Sequence, residues 1–267
     1  MIHYKNEKEI KLMKKSGKML AEVLWEVVGE IKPGISEMEL EILADRLIRE
    51  KGGEAAFKRV DDYKFATCIS TNNVVVHGIP TDYKLKEGDI VGVDCGVLLD
   101  GFNSDMAETV IVKSKKSSIR QAQDLRKVES LKEDEIDRFL SVGKSALEEA
   151  IKVAVVGNRI GHISKTIQDI VEKEGGYSVV RSLIGHGVGR QLHEDPEVPG
   201  YLNRKIDKTP KLLPGMTIAI EVIYNMGGPD VSFYGEDGWT IGSSDGSLSG
   251  LFERSILISE KGPEILT

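Results

Sequence analysis

Residues 89–112, DIVGVDCGVLLDGFNSDMAETVIV, decide the fold. Two apolar, strand-length runs flank Asp100-Gly101, a dipeptide favoured in two-residue β-hairpin turns. With the turn there, Leu99 pairs with Phe102 and paired residue numbers add to 201. Gly96 then faces Asp105. Asp94, two residues from Gly96, lies on the same face as Asp105. The two carboxylates become diagonal neighbours, with Cα atoms about 7–8 Å apart. Two anions that close among apolar residues are costly unless something neutralises them. A divalent cation between them does so; the plainer alternative is a solvent-facing strand carrying two unrelated aspartates.

Upstream of the hairpin the pattern is helical. Ile10, Met13, Gly17, Leu20, Leu24, Val27 and Ile31 share one helical face, and Lys32-Pro33-Gly34 stops the run. Ser36 and Glu39 form an S-x-x-E capping box for a second helix, which carries Leu40, Leu43 and Leu47 and ends at Gly52-Gly53. Strand-like TCIST (67–71) and NVVVHGIP (73–80) follow. Downstream the order begins again. A helix is expected over roughly 133–155, and a second is expected to start near Ile163-Ser164 and end at Gly175-Gly176. Each pair of helices precedes strands and a His-Gly step, His77-Gly78 and His186-Gly187. This weak self-similarity predicts an α+β fold of two pseudo-symmetric αα-ββ halves, about 1–112 and 133–267, in one domain over 1–267. A basic insertion near 113–132 separates them. Its segment KSKKSSIRQAQDLRK (113–127) reads as a solvated loop and helix start. The sharper alternative is a transient contact with ribosomal RNA.

A net charge of -7 over 267 residues argues against a general polyanion binder. Cys68 and Cys95 are not a CxxC pair, so a reducing compartment is expected rather than a disulfide framework. MIHYKNEKEI lacks the apolar core of a signal peptide. No stretch approaches the roughly 20 apolar residues of a membrane span. The expected state is a cytoplasmic monomer with no membrane partner.

Three more segments carry candidate chemistry. His186 and His193 lie in GHGVGRQLHEDP (185–196), where flanking glycines push the first imidazole towards a cleft. Glu221 interrupts the apolar strand TIAIEVIYN (217–225), and Glu253 interrupts LFERSILIS (251–259). Carboxylates inside apolar strands are expected to be paired or metal-bound. Four carboxylates and an imidazole make an oxygen-rich donor set that suits Mn, Fe or Co better than a thiolate-selecting ion. Carboxylates can bridge two such ions about 3.5–4 Å apart, an arrangement that serves amide hydrolysis.

In that order, DCGVLLDGFNSD, GHGVGRQLHEDP, PGMTIAIE and DGWT with DGSLSGLFE resemble the type I methionine aminopeptidases, from Ile10 to Ile258 apart from the basic insertion. The resemblance implies the pita-bread fold and removal of N-terminal methionine from peptides and nascent chains. It also implies a role for each residue. Asp94 would bind one metal ion, Asp105 and Glu253 would bridge both, and His186 and Glu221 would bind the other. Glu221 would shuttle the proton of the attacking water. His77 and His193 would contact substrate and tetrahedral intermediate. Phe57, Tyr63, Cys68, Leu192 and Trp239 would form the methionine pocket. The chain is expected to lack both the extra N-terminal domain of prolidases and the large insertion of type II enzymes. It departs from the family at Arg254 (usually His), Leu251 (usually Gln), Val222 (usually Pro) and the pocket segment VDDYKFATC (60–68). Arg254 is expected to disturb the charge balance at Glu253 and weaken one metal. Two other readings stay open: a prolidase-like Xaa-Pro hydrolase, and a non-catalytic binding protein on the same fold.

Overall fold

The computed structural model describes residues 1–114 and 123–267, with the side chains of 123–133 left undescribed. The first half opens with α1 (Glu7–Gly29) and α2 (Glu37–Glu50). Both begin with capping boxes, Asn6 with Glu9 and Ser36 with Glu39, so their first backbone N–H groups are satisfied locally. Strands β1 (Glu54–Ala55), β2 (Thr67–Thr71), β3 (Val74–Val76), β4 (Ile90–Leu99) and β5 (Phe102–Ile111) follow. The second half repeats the order with α3 (Gln123–Lys152), α4 (Ile160–Gln168), β6 (Ser178–Val179), β7 (Gly185–Gly187), β8 (Glu194–Val198) and β9 (Thr217–Asn225). The chain ends with β10 (Val231–Phe233), β11 (Ile241–Ser243), β12 (Ser249–Ser259) and β13 (Gly262–Ile265).

One antiparallel sheet joins the halves in the order β1-β4-β5-β12-β9-β7-β8; a small second sheet runs β10-β11-β3. Helices cover one face of the large sheet. Val91, Val93, Cys95 and Val97 of β4 pack with α1 and α2, while Ile218, Ile220, Val222 and Tyr224 of β9 pack with α3 and α4. Strand residues alternate between faces, so every second residue of the central strands points away from the helices.

The hairpin forms with the expected register, from Leu99↔Phe102 through Gly96↔Asp105 to Ile90↔Ile111. Asp100 and Gly101 take φ of 51° and 82°, as a turn positive at both central residues requires. The halves also match in detail. Gly34 and Gly157 have φ of 92° and 95°, and the isolated bridges Ser36↔Lys84 and Arg159↔Lys211 tie the start of each second helix to the segment ahead of β4 or β9.

Three expectations need correction. α3 starts at Gln123, ahead of the expected 133, so part of the basic stretch lies on helical backbone. α4 starts at Ile160 rather than near Ile163-Ser164. Ser164 lies inside the helix, its hydroxyl donating to Ile160 O at 3.2 Å, while the His162 ring accepts the Arg159 N–H at 3.0 Å. The two His-Gly steps are not equivalent either. His186 lies in a strand paired with β9 (His186↔Ala219), whereas His77 follows β3 outside any strand with φ of 56°. The remainder of the basic insertion, 115–122, lies outside the described residues.

Candidate active site

The register gathers the candidate ligands into two adjacent rungs. In one rung Asp94 pairs with Ala107, Ala107 with Glu253, and Glu253 with Glu221. In the next, Gly96 pairs with Asp105, Ser255 with Ala219, and Ala219 with His186. Asp105 N–H donates to Ser255 Oγ and Ser255 Oγ donates to Asp105 O, both at 2.9 Å, which closes the second rung. Residues two apart share a face, so all five side chains project together, away from the helices. The intervening positions are Gly96, Ala107 and Ala219, whose small size lets the longer side chains meet.

Their donor atoms converge. One atom each from Asp94, Asp105 and Glu253 lies within 4.8 Å of the others, and the same holds for His186, Glu221 and Glu253. His186 Nε2 is 3.3 Å from Glu221 Oε1 and 3.8 Å from Asp105 Oδ2. Asp105 and Glu253 are almost fully buried, at 3 % and 2 % exposure. Burial pushes the Asp94 carboxyl up to about 7 and raises Asp105, Glu221 and Glu253 well above the carboxylate range, and for these three the neighbouring anions push further. His186 is pushed the other way, down to about 4, by burial and then by His193.

A divalent cation fits this set. Buried atoms Asp94 Oδ1 and Glu253 Oε1 have no hydrogen-bond partner among the described residues, and buried polar atoms rarely stay orphaned. His186 Nδ1 lies 2.8 Å from Gly187 O. A carbonyl only accepts, so Nδ1 carries the proton and the Nε2 lone pair faces the carboxylates. That orientation is repulsive without a cation between them and is the usual one for a metal-bound histidine.

Around the carboxylates lies a cavity of about 590 Å³, lined by His77, His193, Leu192 and Trp239 among others. The His193 ring is 4.4 Å from that of His186. Burial lowers the pKa of both His77 and His193, His77 with a further contribution from His193, so each is neutral at pH 7 with one N–H to donate. At one end of the cavity Phe57, Tyr63, Cys68, Leu192 and Trp239 form a single apolar cluster. The Tyr63 ring is 5.0 Å from Trp239 and 6.4 Å from Phe57, edge to face. Tyr63 Oη donates to Thr67 O, 2.8 Å. Burial raises the Cys68 thiol well above its ordinary value, so it stays uncharged. Val60, Phe65, Ile79 and Leu98 pack against the same cluster; the first two fall in the segment 60–68 singled out in the sequence, and Ile79 and Leu98 were missed. Ile223 and Leu251 also line the cavity. They were legible in principle, each being two residues from a candidate ligand on the same strand face.

Arg254 lies on the other side of the sheet from the candidate ligands. Alternation turns its side chain to the helix face, opposite Glu253. There its guanidinium donates to Glu108 Oε2 (2.7 Å) and to the carbonyls of Ala107 (3.0 Å) and Glu253 (2.7 Å), and lies over the Trp25 ring. Lys144 also pairs with Glu108. The charge is paired with Glu108 on that face, and its pull on Glu253 is downward, against the upward push of burial and the neighbouring anions.

The model of metallopeptidase family M24 matches residues 11–260. The chain belongs to that family. As an M24 metallopeptidase it is a metal-dependent hydrolase of peptides. It is 41 % identical to the methionine aminopeptidase of Clostridium perfringens, over 100 % of this chain and 99 % of that protein. The crystal structure of methionine aminopeptidase from Thermotoga maritima matches it with a TM-score of 0.89 and 40 % identity, covering 100 % of this chain and 99 % of that one. The prolidase of Pyrococcus horikoshii shares the fold alone, with a TM-score of 0.71 and 24 % identity over 99 % of this chain and 63 % of its own. The M24 chain thus has the pita-bread fold that the family resemblance implied.

Proposed function

We propose that this M24 enzyme hydrolyses the first peptide bond after an N-terminal methionine, with two divalent ions of the Mn, Fe or Co class. Asp94, Asp105 and Glu253 would hold one ion. His186 and Glu221 would hold the other, sharing Asp105 and Glu253. The carrying observation is that this converging donor set opens onto an apolar pocket beside two neutral histidines. Ions bound there would polarise the scissile carbonyl and supply hydroxide at neutral pH.

The chain's own residues account for the rest. Glu221 takes the proton of the attacking water and returns it to the leaving amine. His77 and His193 donate hydrogen bonds to the carbonyl oxygen as it gains charge, where fixed donors are worth most. Phe57, Tyr63, Cys68, Leu192 and Trp239 receive the methionine side chain; a protonated thiol and three aromatic rings suit a polarizable thioether. The reading extends to a cytoplasmic, single-domain monomer that works on nascent chains, with the basic stretch near 113–132 touching the ribosome. Charge reversal there that leaves ribosome co-sedimentation unchanged would remove that contact.

The test is release of free methionine from Met-Ala and Met-Gly peptides by chelated enzyme, with and without added Mn, Fe or Co. Release only with an ion present is the expected result. Inertness with every ion, or cleavage of Xaa-Pro peptides without a methionine preference, overturns the reading. Among the described residues no helix is long and apolar enough to cross a membrane.

A further inference from the structure

We propose that Lys5, ahead of α1 and outside the cleft, is a positioning residue: its buried ammonium clamps the segment 189–194 that presents Leu192 and His193. The proposal rests on the functional reading above. The Lys5 side chain is 1 % exposed, a rare state for lysine unless it is paired. Its Nζ donates to Glu194 Oε2 at 2.7 Å, and its backbone N–H donates to Gly215 O at 2.7 Å, fixing the residue to the turn before β9. Glu194 is the next residue after His193. Its other oxygen, Oε1, accepts the Gln191 N–H at 3.0 Å, so the carboxylate closes a loop around Leu192 and His193.

The surroundings are built for this contact. A Cβ on Gly189 would meet Lys5 Nζ at 2.6 Å and Glu194 Oε1 at 2.8 Å, so a side chain there would push the two charged ends from their present places. Asn103 Nδ2 donates to the carbonyls of Gly189 and Arg190, both 3.0 Å, and Arg190 pairs with Glu9 of α1 at 3.0 Å. These contacts hold the start of the segment; at its end the Glu194 backbone pairs with Gly187 of β7, and the Lys5–Glu194 pair fixes the Glu194 side chain that bonds back to Gln191. Removing one member of a buried pair leaves the other an uncompensated charge. Without Lys5, Glu194 turns to solvent and releases Gln191, and Leu192 and His193 lose their fixed place.

The experiment compares Lys5→Met with Lys5→Arg, each alone and with His193→Ala. Hydrogen exchange is followed at residues 189–194 and kcat on a Met-Ala peptide with Mn. Lys5→Met is expected to speed exchange at Gln191 to Glu194 at least ten-fold and to lower kcat about ten-fold. Lys5→Arg is expected to restore most of both. With His193 already replaced, Lys5→Met is expected to change kcat less than two-fold. Unchanged exchange, or an equal kcat loss in both backgrounds, overturns the clamp. If Lys5→Met does not fold, Glu194→Gln with Lys5 kept gives the same readouts. Exchange decides the clamp even if the wild-type enzyme releases no methionine, a result that overturns the proposed activity instead.

Discussion

His77 shows what single residues contribute. Its φ of 56° is one that side chains other than glycine rarely adopt, and its ring stands 6.4 Å from Trp239. The following residue explains the bend: a Cβ on Gly78 would meet Ile69 O at 2.1 Å, so the backbone passes hard against β2 and turns His77 into the cavity. His77→Ala and His193→Ala are each expected to lower kcat about 10²-fold, the cost of losing one donor to a developing oxyanion. Steady-state kinetics with saturating metal checks this, and a loss below five-fold would remove that histidine from the reaction. The candidate ligands themselves were readable in the sequence, because one Asp-Gly turn fixes the register that puts Asp94 beside Asp105. The partners of Lys5 and Arg254 were not. Strand alternation turns Arg254 from the face of Glu253, but its pairing with Glu108, like the ion pair between residues 5 and 194, depends on chain crossings that no local pattern records.

Elements meet through small contacts that are as decisive. Gly143 of α3 lies against the sheet, where an added Cβ would meet Tyr224 Oη at 2.4 Å and Phe252 at 2.6 Å. Neither yields easily: Tyr224 Oη is bonded to Phe139 O at 2.6 Å, and both rings are fully buried. Gly143→Ala gains about 1 kcal/mol of helix propensity against roughly 1–3 kcal/mol of overpacking. Crowding wins, and a net loss of up to about 2 kcal/mol is expected in urea unfolding; a gain would mean that α3 shifts freely on the sheet. Ser36→Ala removes the α2 cap and is expected to cost about 1 kcal/mol by the same measurement. Capping also explains the uneven reading of the helices. Ser36 and Glu39 announce α2, whereas α4 is started by a histidine ring accepting a backbone N–H. No sequence signal distinguishes that use of His162 from an ordinary surface histidine.

For the whole molecule, the carboxylate cluster couples stability to pH and to metal. Without metal the folded state holds protons on Asp94, Asp105, Glu221 and Glu253 that the unfolded chain releases near pH 4. Carboxyls raised in this way stabilise the fold below their unfolded pKa, and that stability is lost as pH climbs through the folded pKa, about 7 for Asp94. Every tenfold gain in proton affinity on folding is worth about 1.4 kcal/mol, so chelated protein is expected to melt roughly 10 °C lower at pH 8 than at pH 5. Saturating Mn is expected to raise the melting temperature at pH 8 and flatten the profile, because it binds the folded state alone. Calorimetry across that range checks both, and a flat profile for chelated protein would show that burial and mutual repulsion do not hold protons on these carboxyls.

The two-rung arrangement has a temporal side. Asp94 and Asp105 leave the ribosome together in one hairpin, His186 and Glu221 emerge much later, and Glu253 last of all, on β12 between strands from both halves. Until β12 slots into that gap, the hairpin and β9 have no common edge to share. The candidate metal site is therefore completed in a single late event of synthesis, once β12 has been made.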